Sequence, residues 1–132
     1  MNWTKKASQI KTPIMNETVK KQLVQFIVDM YEIDSVEKLF LDTREQPICI
    51  ARQICMFMIM EYGEESAATV GPYFDKDRTT AIHAYKVVTK EYQTNRGFAA
   101  KLDIIIEKYN NLADIVEKYN KLTKEYVPLP AE

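Results

Sequence analysis

Residues 75–86 read DKDRTTAIHAYK, an acid, a base and two threonines set immediately ahead of a helical pattern. These side chains have the donors and acceptors that read nucleic-acid base edges. Asp77 is able to cap a helix and to accept a hydrogen bond from a cytosine amino group, and Arg78 to donate in bidentate fashion to guanine. The Thr79 hydroxyl bonds either way and its methyl packs on thymine. Thr80, Lys86 and Lys90 carry donors for phosphates, contacts that set register without conveying sequence. A plainer reading stands beside this one: Asp77 as an ordinary N-cap, with Arg78 and both threonines as solvated surface.

The helix that presents them is predicted to open at DRTT and to run to about Gln93. Thr79, His83, Lys86 and Lys90 fall in one stripe, and Ala81, Tyr85, Val88 and Tyr92 in another about 180° away. One face packs; the other is polar and basic. Ahead of it, GEESAATVGPYF predicts a shorter helix capped by Ser66, with Pro72 making it irregular or delaying its start. A short helix, a tight connection and a helix with a polar opening form the layout of a helix-turn-helix, whose second helix enters the major groove.

The remaining elements must bury the packed face. Asn16 is the expected N-cap of a first helix to about Tyr31, with Val19, Leu23, Phe26, Ile27 and Met30 inward. EIDSVEKLF supplies a turn and a short second helix, capped by Asp34 or Ser35, with Leu39 and Phe40 inward. After the polar loop LDTREQP, Pro47 sits in the first turn of ICIARQICMFMIMEY, a helix apolar nearly all round and so central to a bundle. From Phe98 onward, Leu102, Ile105, Tyr109, Leu112, Val116, Tyr119 and Tyr126 fit heptad a and d positions, with Thr123 in the polar slot. This last helix either folds back on the bundle or pairs with a second copy, and Asn110-Asn111 is a point where it could break. Residues 1–16 (with Lys5, Lys6 and Lys11) are expected to be a flexible arm, 17–108 the domain, and 109–132 a helical extension with an extended VPLPAE tail.

Bulk composition agrees with one all-α domain. The 132 residues hold only 3 glycines and 5 prolines, which predicts few tight turns. The longest apolar run, 54–60, is far below the roughly 20 residues needed to cross a bilayer, and the amino terminus has no apolar signal core. Cys49 and Cys55 are six apart with a single histidine in the chain, so no metal site is expected and both thiols are expected buried and free in a reducing cytoplasm. The net charge of −1 offers no global attraction to nucleic acid, yet residues 75–101 carry six basic against three acidic side chains, a local +3. So few phosphate-neutralising groups imply modest affinity and a shallow salt dependence.

YEIDSVEKLF, the arginine of DTREQ, ARQICMFMIME, SAATVGPYF and KDRTTAIHAYKVV occur in an order and spacing that resemble the carboxy-terminal DNA-binding domain of the bacterial replication initiator DnaA, over residues 19–109. The element KDRTTAIHA keeps Asp77, Thr79, Thr80, His83 and Ala84 of that family's signature. The resemblance implies that Arg44 reaches from its loop into the minor groove, that Arg52 and Gln53 contact phosphate, and that Lys76, Asp77, Arg78, Thr79, Thr80 and Lys86 serve at the recognition helix. It implies that His83 packs or fixes the helix. The chain departs from the family at Arg78, which replaces a histidine and predicts a different base preference. It departs also at Glu45 beside Arg44, at Met60 in place of a phosphate-holding lysine, at Pro72, and in a connection between Phe74 and Asp77 that is shorter and lacks paired glycines.

The expected function is sequence-specific binding of double-stranded DNA by an accessory replication or transcription regulator in the cytoplasm, without ATPase activity, since GxxxxGK[ST] is absent. No enzyme activity, cofactor, membrane or small-molecule substrate is expected. Asp103 and Glu107 share a helix face without a nucleophile near them in sequence. A second copy, or another protein, is the partner the carboxy-terminal helix suits. The competing expectation is a protein-interaction module on the same scaffold that no longer binds DNA.

Overall fold

The structure, a computed structural model, describes residues 15–125, with side chains to residue 122. The expected amino-terminal arm with Lys5, Lys6 and Lys11, the Thr123 side chain, Tyr126 and the VPLPAE tail lie outside the described residues. Among the described residues five α-helices and one 3-10 helix follow in order: α1 (Glu17–Met30), the 3-10 helix (Val36–Phe40), α2 (Ile48–Glu61), α3 (Ala67–Tyr73), α4 (Arg78–Thr94) and α5 (Arg96–Glu125). No strand occurs among the described residues, so the fold is an all-α helical bundle.

α2 forms the centre because its sequence leaves no polar face to turn outward. Ala51, Ile54, Cys55, Met56, Phe57, Met58 and Ile59 are all buried, with α1, α3, α4 and the 3-10 helix packed around them. Burying one such large side chain contributes about 1.5–3 kcal/mol. α1 is capped at Asn16, whose side chain accepts from the Val19 amide at 2.8 Å, and it buries Val19, Leu23, Val24, Ile27 and Val28, with Phe26 and Met30 half-buried at the margin. The short helix after α1 is 3-10 rather than α. Leu39 is fully buried there, and Ser35 stands at the cap position without a side-chain cap bond, while Asp34 pairs with Lys38. Pro47 is the N-cap of α2 rather than a residue of its first turn.

α3 starts directly after Ser66, whose hydroxyl accepts from the Thr69 amide. Pro72 is tolerated because the helix ends one residue later, so the lost amide donor falls in the final turn. α4 buries Ala81, Ala84 and Val88, while Tyr85 and Tyr92 are half-buried and direct their hydroxyls to Glu61 and Asp103.

The expectation of few tight turns needs correcting. Glu32, Glu64 and Asp75 all adopt left-handed backbone, with φ of 56°, 56° and 58°. Acidic residues, not glycines, turn the chain at the ends of α1, α2 and α3, so glycine scarcity concealed three turns.

α5 is one continuous helix through Asn110 and Asn111, which do not break it. Its first half folds back on the bundle, burying Phe98, Leu102, Ile105, Ile106, Tyr109 and Ala113, with Lys101 and Lys108 laid over the rings of Tyr31 and Phe26. The boundary expected at 108/109 therefore falls inside a helix that is still packing. Beyond Ala113, among the described residues, only Val116 still packs partly against the core, while Ile115, Tyr119 and Leu122 turn outward, 62%, 65% and 63% exposed.

Candidate nucleic-acid interface

The α3–turn–α4 unit is held by contacts that need a glycine at one point. A Cβ on Gly71 would lie 2.3 Å from the Asp77 carbonyl oxygen and 3.1 Å from the Arg78 nitrogen, so only glycine lets α3 come this close to the start of α4. The Gly71 carbonyl accepts from the Lys76 amide at 2.8 Å, and the Pro72 carbonyl from the Asp75 amide at 2.9 Å. With Asp75 left-handed between them, these bonds form a Schellman closure of α3.

Asp77 caps α4. Its Oδ1 accepts from both the backbone amide and the hydroxyl of Thr80, each at 2.8 Å. The Thr80 amide bond, then its hydroxyl bond, holds the Asp77 carboxyl below the ordinary carboxylate range. Arg78 and Thr79 then stand exposed at the first turn, with His83, Lys86 and Lys90 exposed along the same helix.

The loop of residues 41–47 rests on Arg52. That guanidinium is 5% exposed and donates to the carbonyls of Leu39, Leu41 and Thr43 at 3.2, 3.1 and 2.8 Å. The loop is closed further by the Glu45 amide donating to the Thr43 hydroxyl, and by Gln46, whose side chain accepts from the Ile50 amide. Lys76 reaches across to the same region, donating to the carbonyls of Phe40 at 3.0 Å and Phe74 at 3.3 Å. Arg44 projects from this braced loop and is exposed.

Between loop and helix lies a cleft of about 750 Å³. Arg44, Arg52, Gln53, Lys76, Asp77, Thr79 and Thr80 all line it, together with Asp42, Cys49 and His83. Arg78 and Lys86 do not line it and lie on the open face of α4. The geometry alters four of the expected roles. Arg52, expected on phosphate, directs both terminal nitrogens to the loop carbonyls, and Lys76 braces the turn. Thr80 gives both its donors to Asp77. His83, expected to pack or fix the helix, is exposed on the cleft. Gly71 and Asp75 position the recognition helix without touching the cleft, and no sequence motif marked either one.

The cleft is lined by basic Arg44, Arg52 and Lys76 alongside acidic Asp42 and Asp77. The amino end of α4 presents its dipole and the Arg78 and Thr79 side chains, while Arg44 flanks it from the loop. Asp42 and Glu45, both exposed beside Arg44, dilute the positive field there.

Among the described residues no helix is long and apolar enough to cross a membrane. Curated relatives include the chromosomal replication initiator proteins DnaA of Desulfotalea psychrophila, 27% identical over 97 residues, and of Lactiplantibacillus plantarum, 32% identical over 96 residues. These matches cover 74% and 72% of this chain but only 20% and 19% of the relatives, so the chain spans about a fifth of their length. No solved structure matches it. The family model for the bacterial DnaA protein helix-turn-helix matches residues 21–88, just over half of the chain and the span from α1 through most of α4. With its helices, turn and cleft in that arrangement, the chain belongs to the bacterial DnaA helix-turn-helix family.

Proposed function

We propose that the chain binds double-stranded DNA with sequence preference. The amino end of α4 lies in the major groove and Arg44 in the adjoining minor groove. One observation carries this above all: Arg44 and Thr79, from a loop and a helix more than thirty residues apart, line the same cleft with Arg78 exposed beside it. Arg78 reads a guanine edge, Thr79 a thymine or its partner, and Lys86 and Lys90 take phosphates. Arg52, Gln53, Lys76, Asp77 and Thr80 belong to the site as well, Arg52, Lys76 and Thr80 chiefly by holding the loop and the cap in place.

The role that follows is an accessory regulator of replication or transcription, acting in the cytoplasm without hydrolysing nucleotide. Selection of duplexes from a random pool tests it. A defined motif should be enriched at low salt, where the few basic contacts are strongest. A pool with no enrichment would leave the scaffold as a protein-interaction module.

A further inference from the structure

Two acids flank Arg44 on its loop, and one of them shares the cleft with it. Asp42 lines the cleft as Arg44 does, whereas Glu45 does not. Asp77 lines it too, but its Oδ1 already accepts both Thr80 donors. The Asp42 carboxylate is exposed and takes no hydrogen bond or ion pair from any of the described residues. Nor is its backbone free to swing the side chain away. Arg52 donates to the carbonyls on either side of it, Leu41 at 3.1 Å and Thr43 at 2.8 Å.

A carboxylate held at a DNA-binding surface has few partners to choose from. It only accepts hydrogen bonds, phosphates repel it, and the donors that the grooves offer are the amino groups of the bases. In the minor groove the single donor is the guanine amino group, since adenine N3 and thymine O2 are acceptors. Desolvated there without a donor, a carboxylate is strongly unfavourable. The reading that sends Arg44 into the minor groove brings Asp42 with it, two residues earlier on the same braced loop and in the same cleft. Resting on that reading, we propose that Asp42 is a further specificity-determining residue, its carboxylate accepting from the amino group of a guanine in the minor groove. It marks one G·C pair at the edge of the A·T-rich flank that Arg44 takes. It selects in both directions, by attraction to that amino group and by repulsion from the acceptors of an A·T pair at the same place.

Duplex selection with the full chain, followed by anisotropy titrations on the selected duplex, tests this. The motif should hold one G·C pair at the edge of its A·T-rich flank. Replacing that guanine by inosine removes the minor-groove amino group, leaves the major-groove edge intact, and should weaken binding at least about fivefold. Diaminopurine opposite thymine, which gives an A·T-like pair the missing amino group, should recover it. Asp42→Ala should bind the guanine, inosine and diaminopurine duplexes alike, whatever the lost charge does to affinity in general. Glu45→Ala, an equal change of charge outside the cleft, should strengthen all of them together and keep the parent's preference. An inosine duplex bound as tightly as its guanine parent overturns the proposal, as does an Asp42→Ala protein that keeps the parent's preference. A pool without any motif overturns the DNA reading as well, whereas a motif that ignores the amino group overturns this inference alone.

Discussion

The α-carbon of Gly71 faces the Asp77 peptide so closely that an added methyl would sit 2.3 Å from the Asp77 oxygen. Asp77 is the N-cap of α4, so the packing of α3 sets where the recognition helix begins. The neighbouring atoms are backbone, which cannot rotate away. Gly71→Ala should therefore cost about 1–3 kcal/mol in urea unfolding and reduce DNA affinity beyond the loss of folded protein. A variant as stable as the parent would show that α3 and α4 can separate without harm.

Asp75 offers the opposite case. An L-residue with a side chain is strained by about 1–2 kcal/mol in the left-handed region, partly offset by the greater unfolded-state freedom of glycine. Asp75→Gly should raise stability by about 0.5–1 kcal/mol, and Glu32→Gly by a similar amount, read as higher urea midpoints at unchanged slope. Removing an acid from a helix carboxyl end acts in the same direction. Lower midpoints for both would mean that these side chains hold their turns.

Arg52 distinguishes bracing from phosphate binding. Arg52→Met leaves the Leu39, Leu41 and Thr43 carbonyls without their donor and should cost about 2–3 kcal/mol. Gln53→Ala, a neighbour half-exposed on the cleft, should leave stability within about 0.5 kcal/mol. If Arg52→Met were equally mild and reduced only DNA affinity, its role would be on the phosphate after all.

Asp77 links the cap to pH. Its carboxyl is held below the ordinary value by the two Thr80 donors, so its contribution to stability is present above the unfolded-state value, near pH 4, and is lost as pH falls through the lower folded-state value. Asparagine caps as well but does not titrate. Asp77→Asn should match the parent near pH 6 and show a shallower loss of stability toward pH 2 in urea titrations. Parallel acid limbs would detach the cap from the carboxylate.

Arg78 and Arg44 separate direct from shape readout. Arg78→Ala should relax base preference at one position of a selected duplex by about 1–3 kcal/mol. Arg44→Ala should weaken binding most where the flank is A·T-rich, because a narrow minor groove concentrates negative potential. Equal losses on every flank, measured by fluorescence anisotropy, would reduce Arg44 to a general positive charge.

The local rules were readable in the chain by itself. The caps at Asn16, Ser66 and Asp77, the two faces of α4 and the central place of α2 depend on residues three or four apart, a range over which side-chain chemistry and helical period decide the outcome. Resemblance added the order of the helices and the candidate set around Asp77. What lay beyond reach depended on distant partners. The bond from Lys76 to the Phe40 carbonyl spans 36 residues, and the three from Arg52 span up to 13. Neither leaves a periodic trace, and the resemblance put both basic residues on DNA rather than on the chain's own carbonyls. Left-handed Glu32, Glu64 and Asp75 were hidden for a related reason: surrounding packing forces a conformation that their residue types rarely choose. Composition and spacing determined that a helix opens at Asp77 with a polar face; only the folded chain decided that Arg44, held on its loop by Arg52, would share a cleft with that opening.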